Sequence, residues 1–502
     1  MIIRSSVRSF YRRQRGAALL LLVVALILGA AAIFYGFSST TTTDAARDRK
    51  TSEALLAAKS ALIAYAVSVN ITTTSVGVRL GDLPCPDSTD SGRANAAGCG
   101  NGAGTTGQTS RIGRLPWKDL GLPDLRDGDG ERLWYAVSNN FKQNNRTACN
   151  AATLAATCLN SDTRGTITIR DSAGNIVHNA MNTDPATSGV VAVIFSPGAI
   201  LRRQDGTQQA RGCGGDATCI ATGICGSAAT PKCNPVNYLD IGLGEDNVNF
   251  SDVSASPTTN GFIKGIVRDA SGNVIINDRL VVITYQDIMP SLEKRVVSEV
   301  TNCLKAYASA NNGRYPWPAP ASDVSSPLLN LTDASFGRIP DNQLSRFGST
   351  APTTALVNAC AASPAPPAPP QCMSASWPNA CLLPTNPTVN SWWNNWRLHV
   401  FYGLADAYKP MILFDPVTEV LSPIPAPTGC PTCLTVAPDA KPDKQFVVIL
   451  AGKQLLAQLR IATADRQNAA NYLEGENNNG DTVFSKQAVS TTFNDTVVSV
   501  PP

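Results

Sequence analysis

The sequence predicts an α+β fold: a long N-terminal hydrophobic helix, then two tandem modules, each a helix packed on a small antiparallel sheet, loop-rich and stapled by disulfides. Three observations carry that prediction. Ala17–Phe37 is an unbroken apolar run, a set of landmarks recurs in the same order in both halves of the chain, and most of the 14 cysteines fall in stretches rich in Gly, Pro, Asn and Thr. The expected boundaries are a basic leader at 1–16, the apolar helix at 17–37, a first module at 38–290 and a second at 291–502.

The apolar run holds 21 residues without charge or proline. At about 1.5 Å per residue it spans a hydrocarbon core of about 30 Å. Arg4, Arg8, Arg12, Arg13 and Arg15 precede it with no acid among them, which orients the N-terminus toward the cytoplasm. A plain uncleaved anchor accounts for these features. A conventional signal peptide fits less well, since its apolar core would be shorter and followed by an A-x-A-like site. The expected placement is an inner-membrane single-pass chain with its C-terminal part in the periplasm.

The same residues also carry a sharper pattern. A short basic leader ending in Gln14-Arg15-Gly16, followed directly by Ala17-Ala18-Leu19-Leu20-Leu21-Leu22-Val23-Val24, resembles the class III signal of type IV pilins and type II secretion pseudopilins. The resemblance implies cleavage after Gly16 by a prepilin peptidase and methylation of Ala17. It implies a helix that is first a membrane anchor through residues 17–37 and later filament core. The implied partners are other pilin or pseudopilin subunits and an inner-membrane assembly platform, with the filament or cell surface as destination. Most family members carry a glutamate at the fifth mature position, where this chain has Leu21. Subunits lacking that glutamate tend to sit at the filament tip, so Leu21 argues against a major repeating subunit.

Composition excludes other classes. The chain has 41 Lys and Arg against 38 Asp and Glu; without the five leader arginines, 36 against 38 leaves a net charge of −2. Nothing in that balance favours nucleic acid. An even cysteine count behind an export-like segment favours disulfides formed in an oxidising compartment. Close spacing suggests Cys85 with Cys99, Cys149 with Cys158, and pairings within Cys213, Cys219, Cys225 and Cys233. Cys303 is a possible partner for Cys360, Cys372 or Cys381. Cys430-Pro431-Thr432-Cys433 has redox-motif spacing but lies among prolines rather than at a strand-to-helix turn, which favours a structural role.

Beyond Phe37, Asp44 can cap a helix running to about Val69, with Leu55, Ala58, Leu62, Tyr65 and Val69 as its apolar stripe. Strands are expected at Leu133 to Val137, Gly165 to Ile169, Val190 to Phe195 and Arg279 to Tyr285. Asp171-Ser172-Ala173-Gly174-Asn175 and Asp269-Ala270-Ser271-Gly272-Asn273 read as hairpin turns. Pro290 and Ser291 then open a second helix with Leu292, Val296, Val300, Leu304 and Tyr307 on one face. After it Gly337-Arg338-Ile339-Pro340 echoes Gly113-Arg114-Leu115-Pro116, and Phe446 to Gly452 echoes Val191 to Gly198. Asn468 to Glu474 echoes Asn234 to Asp240. Ordered recurrence of this kind reads as a duplication. Each module also resembles the globular part of a G-type pseudopilin.

Few residues suggest chemistry. Asp124, Asp127, Asp129 and Glu131 offer oxygen ligands in a glycine-rich turn, as calcium requires, though the spacing is not that of an EF-hand loop. A solvated turn with Asx hydrogen bonds is the plainer account. The family resemblance adds a second possible calcium loop at Asp240 and Asp246. Trp392, Trp393 and Trp396 make the most aromatic spot, suited either to the core or to a binding surface. His178 and His399 are the only histidines, and no G-x-S-x-G, Walker or H-E-x-x-H pattern occurs, so no enzyme is expected. The functional expectation is a minor pilin or pseudopilin at or near a filament tip. The alternative is an adhesin displayed on the same anchor.

Overall fold

The computed structural model describes residues 43–70, 79–95, 112–142, 149, 158–203, 206–227, 229–242, 245–248, 261–324, 334–340, 377–378, 381, 383, 392–410, 413–415, 420–422, 425–430 and 432–501. Helix α1 occupies 43–68, and residues 43–50, with Asp44, Arg47, Asp48, Arg49 and Lys50 among them, are all exposed. From Thr51 onward Ala54, Leu55, Ala58, Leu62 and Ala66 are buried, at the three- and four-residue spacing of one helix face. Ala66, rather than the expected Tyr65, lies on the buried line; Tyr65 is half-buried.

No helix among the described residues is long and apolar enough to cross a membrane. This corrects the expected fold class and the inner-membrane placement. Ala17–Phe37, assigned to the long hydrophobic helix, lies outside the described residues, and the N-terminal helix that is described opens with charges. What stands is a mixed α/β fold of small sheets.

Two four-stranded sheets dominate it. Strands β1 (Ile112–Arg114), β2 (Trp134–Val137), β3 (Ala192–Ser196) and β4 (Arg279–Ile283) pair in chain order, every pair antiparallel. Strands β5 (Phe336–Arg338), β6 (Val400–Leu404), β7 (Phe446–Leu450) and β8 (Thr496–Val500) repeat that order and those directions. The registers superimpose. Arg114 faces Trp134 as Arg338 faces Phe401, and Gly113 faces Tyr135 as Gly337 faces Tyr402. Phe195 opposes Leu280 as Ile449 opposes Val497. The central strands are buried along their whole length, which is why they read as continuous Val, Ile and Phe runs.

Helix α2 (Tyr285–Ala310) begins five residues before the expected Pro290, which lies inside it. The Asp287 carboxylate accepts from both the amide and the hydroxyl of Thr284, each at 2.8 Å, and this cap fixes the earlier start. Leu292, Val296, Val300, Leu304 and Tyr307 are all buried on one face. Asp287 also pairs with Lys59 of α1 at 2.8 Å.

The two halves share an apolar core. One apolar cluster runs from Ala54 and Leu62 of α1 through Tyr135 and Ile194 of the first sheet and Leu292 and Val300 of α2 to Tyr402 and Val448 of the second sheet. A second cluster covers the outer face of the first sheet alone, with Trp134, Val193 and Phe195. The halves meet closely: a Cβ at Gly81, whose φ is +97°, would lie 2.8 Å from carbons of both Leu159 and Leu292. Disulfides join Cys149–Cys158, Cys213–Cys219, Cys225–Cys233, Cys303–Cys381 and Cys430–Cys433. Cys85 is also disulfide-bonded; its expected partner Cys99 lies outside the described residues.

Candidate functional site

The sequence-derived sites scatter. Gly16, Ala17 and Leu21 lie outside the described residues. The acidic turn is a docking element: Asp127 is buried and accepts from the amides of Asp129 (3.0 Å) and Glu131 (2.8 Å), from Ser196 Oγ (2.8 Å) and from the Gly198 amide (3.2 Å). Asp124 pairs with Arg126 and Arg132, Glu131 pairs with Arg211, and Asp129 is exposed. A Cβ at Gly128 would lie 2.4 Å from the Arg47 carbonyl oxygen, so the glycine-rich turn lets α1 approach the backbone. The carboxylates of this turn therefore face separate partners. Among the described residues no group of three or more His, Cys, Asp or Glu is placed to hold a metal ion. Trp392, Trp393 and Trp396 are at most 1% exposed and belong to the core, not to a binding surface.

What the fold does assemble is a buried polar layer that occurs twice. In the first half the Tyr238 ring lies between two guanidinium groups, Arg114 at 4.0 Å and Arg211 at 4.9 Å. In the second, Tyr472 lies between Arg338 at 5.3 Å and Arg460 at 4.4 Å. Arg338 is fully buried, and desolvation lowers its pKa to about 10. Its donors go to the carbonyls of Ala321, Leu398 and Arg466, each at 2.8 Å.

Beside each tyrosine sits a pair of carboxyl groups. Asp240 and Asp278 are 1% and 0% exposed; Glu474 and Asp495 are 7% and 4% exposed. The Asp240 amide donates to Asp278 Oδ2 at 2.8 Å and the Glu474 amide to Asp495 Oδ2 at 3.0 Å. Asn247 Nδ2 reaches Asp278 Oδ2 as Asn477 Nδ2 reaches Asp495 Oδ2, both at 2.9 Å. Each of these asparagines accepts, through Oδ1, a strand amide: Ile263 in one half, Ser485 in the other, both at 2.8 Å. Gln209 and Gln458 donate to Asp240 and Glu474 and accept from Arg211 and Arg460. The two halves thus hold the same network, with Glu474 in the place of Asp240.

Local signals place it. Asn234 and Asn468 each accept, at 3.1 Å, the amide two residues on and start a short 3-10 turn ending just before the tyrosine. The Asn234 and Asn468 echo was legible in the sequence. The Gln-x-Arg triplets at 209–211 and 458–460, and the Asn-Asp dipeptides at 277–278 and 494–495 just before each final strand, were also there to be matched but were missed. Asp246 pairs with Ile241 in a short two-stranded ribbon.

A second polar cluster ties the halves together. Asp162 accepts from Arg460 on both oxygens at 3.0 Å, from the Gln454 amide at 2.7 Å and from His399 Nε2 at 3.1 Å. Burial pulls the Asp162 carboxyl up, but Arg460 and His399 outweigh it and hold the group well below the usual carboxylate range. His399 is fully buried, and burial lowers its pKa. Neighbouring Ser161 donates to Glu293, whose pKa burial raises to about 7. Lys453 pairs with Asp184 at 2.7 Å across the same seam.

Comparison with protein-family models, with curated proteins and with solved structures finds no match to this chain.

Proposed function

We propose that the chain is a minor pilin or pseudopilin subunit, processed after Gly16 and assembled with other subunits of a type IV pilus or type II secretion pseudopilus at or near its tip. The observation that carries this reading is Gln14-Arg15-Gly16 followed by the apolar run from Ala17. The exposure of residues 43–50 supports it, because the solvent-facing side of this end of α1 is a surface on which a neighbouring subunit can pack. The task is packing rather than turnover. The adhesin alternative loses its aromatic surface, since the three tryptophans lie in the core.

Intact mass and N-terminal sequencing of the protein from its native cells test the reading. A chain beginning at N-methylated Ala17, and an unprocessed chain after Gly16→Asp, are the expected results. A native chain beginning at Met1 sinks it.

A further inference from the structure

In each half one acid has a donor on both oxygens. Gln209 Nε2 and the Asn277 amide serve Asp240 at 2.9 and 2.8 Å; Gln458 Nε2 and the Asn494 amide serve Glu474 at 2.7 and 3.0 Å. Asp240 is in this way a hydrogen-bond acceptor within the layer. The second acid differs. Both donors to Asp278 converge on Oδ2, as do both donors to Asp495, and among the described residues Oδ1 of each is buried without a donor. A bare, buried, ionised oxygen beside another carboxyl group would be an uncompensated charge, and such groups neutralise instead. The same oxygen is bare in both halves, so the arrangement is a repeated feature of the fold.

We propose that each pair binds one proton, carried on Asp278 Oδ1 in the first half and on Asp495 Oδ1 in the second, and that these protons fasten the last strand of each sheet.

The surroundings fit. The cations facing the first pair are Arg211 and Arg203. Arg211 donates to the carbonyls of Gly198 and Asn237 and to Gln209, and pairs with Glu131; Arg203 donates to the Val236 carbonyl. Arg279, next to Asp278, pairs with Asp48 of α1. In the second half Arg460 serves Asp162, Gln458 and the carbonyls of Gly452 and Asn471, and Lys453 serves Asp184. None of these donates to either bare oxygen.

Burial, with the neighbouring carboxylate adding to it, pushes Asp278 and Asp495 well above the usual carboxylate range, and burial raises Asp240 to about 6. The sign follows: the folded chain holds protons that the unfolded chain releases. This stabilisation is complete below about pH 4, the ordinary carboxylate value; Asp240 loses its share as pH rises through about 6, and Asp278 and Asp495 hold their protons to higher pH before losing theirs. Because Asp278 and Asp495 immediately precede β4 and β8, losing the protons places two charges at the root of an edge strand in each sheet. The inference does not depend on the filament role.

Difference infrared spectroscopy of the full chain at pH 7 tests it. Bands of about two protonated carboxyl groups per chain are expected beyond the share of Glu293, whose pKa lies near 7, and Asp278→Asn or Asp495→Asn should each remove about one. The Asn amide supplies the donor that the proton supplied. Calorimetric unfolding at pH 7 in buffers of different ionisation heat should show release of about two protons beyond the share of Glu293, and about one fewer from either variant than from the wild type. The wild-type spectrum decides the matter even if a variant fails to fold: no protonated carboxyl at pH 7 beyond the share of Glu293 overturns the proposal. So does a calcium-induced rise in melting temperature accompanied by loss of the proton release, which would make each pair a cation site.

Discussion

Replacing Asp162 by alanine is expected to uncouple the two halves while leaving each sheet intact. The side chain sits on a segment of the first half, and its acceptors take Arg460 on both oxygens, the Gln454 amide and His399, all from the second half. Arg460 is 2% exposed and His399 is fully buried, so alanine leaves a buried cation with its remaining donors on neutral oxygens. Removing one partner of a buried pair costs about 3–5 kcal/mol. The Asp162 side chain is 26% exposed, which puts the expected loss at the low end, about 3 kcal/mol. Urea unfolding followed by tryptophan fluorescence is the assay, because Trp396 stacks edge-on to His399 at 6.4 Å and reports this seam. The midpoint should fall, and the second half should separate as an earlier transition. In an Arg460→Met background the same substitution should cost about 1 kcal/mol or less, since the stranded cation is gone. A loss below about 1 kcal/mol from Asp162→Ala alone, or an additive cycle, would refute the argument that this carboxylate couples the halves.

Three further outcomes are expected. Stability of the full chain should peak on the acid side of neutrality: depressed Asp162 stabilises only above about pH 4 and loses its contribution as pH falls, whereas Asp278 and Asp495 lose theirs as pH rises, so melting temperature measured across pH should fall on both flanks. Gly128→Ala should cost about 1–3 kcal/mol, because its Cβ would sit 2.4 Å from the Arg47 carbonyl oxygen, and amide exchange should accelerate at residues 51–58 before elsewhere. Removing Cys303–Cys381, which closes 78 residues, should cost about 4.5 kcal/mol by loop entropy, against about 1.6 for Cys430–Cys433 with its separation of 3; denaturant midpoints of the paired Ser variants compare the two.

How much of this was legible depended on what each signal encodes. The buried central strands showed as apolar runs because both their faces are covered, and the face of α2 showed in its periodicity. The start of α2 was misplaced because Pro290 is a stronger local cue than the cap that Asp287 makes with Thr284. The tryptophans gave no sign of their fate, since an aromatic cluster reads alike whether it packs inside or faces water. The acidic turn looked like a cation loop because Asp127 and its glycines are the residues that a tight, backbone-docking turn also requires. The carboxyl pairs were hidden for another reason. Each joins residues far apart in the chain, Asp240 with Asp278 and Glu474 with Asp495, and nothing local announces a contact that the closing of the sheet creates.

The two halves differ in a way that explains both what they kept and how they came to share one core. At equivalent strand positions the apolar residues have drifted, Trp134 against Phe401 and Phe195 against Ile449, because a core accepts replacements of similar volume. The buried polar layer has changed less, with Asp240 and Glu474 its one exchange among the carboxyl pairs. Arg114 and Arg338, Gln209 and Gln458, Arg211 and Arg460, Tyr238 and Tyr472, and Asp278 and Asp495 match, because losing one member strands a buried partner. The informative departures lie at the positions three and two residues before Trp134 and before its counterpart Phe401. In the first half Glu131 pairs with Arg211 and Arg132 with Asp124, all within that half. In the second half the same positions are Leu398 and His399, so Arg460 has no acid of its own beside the strand. It takes Asp162 of the first half instead, and His399 reaches the same carboxylate. A carboxylate from the first half thus stands beside Arg460 where Glu131 stands beside Arg211, and this exchange ties two sheets of the same plan to each other.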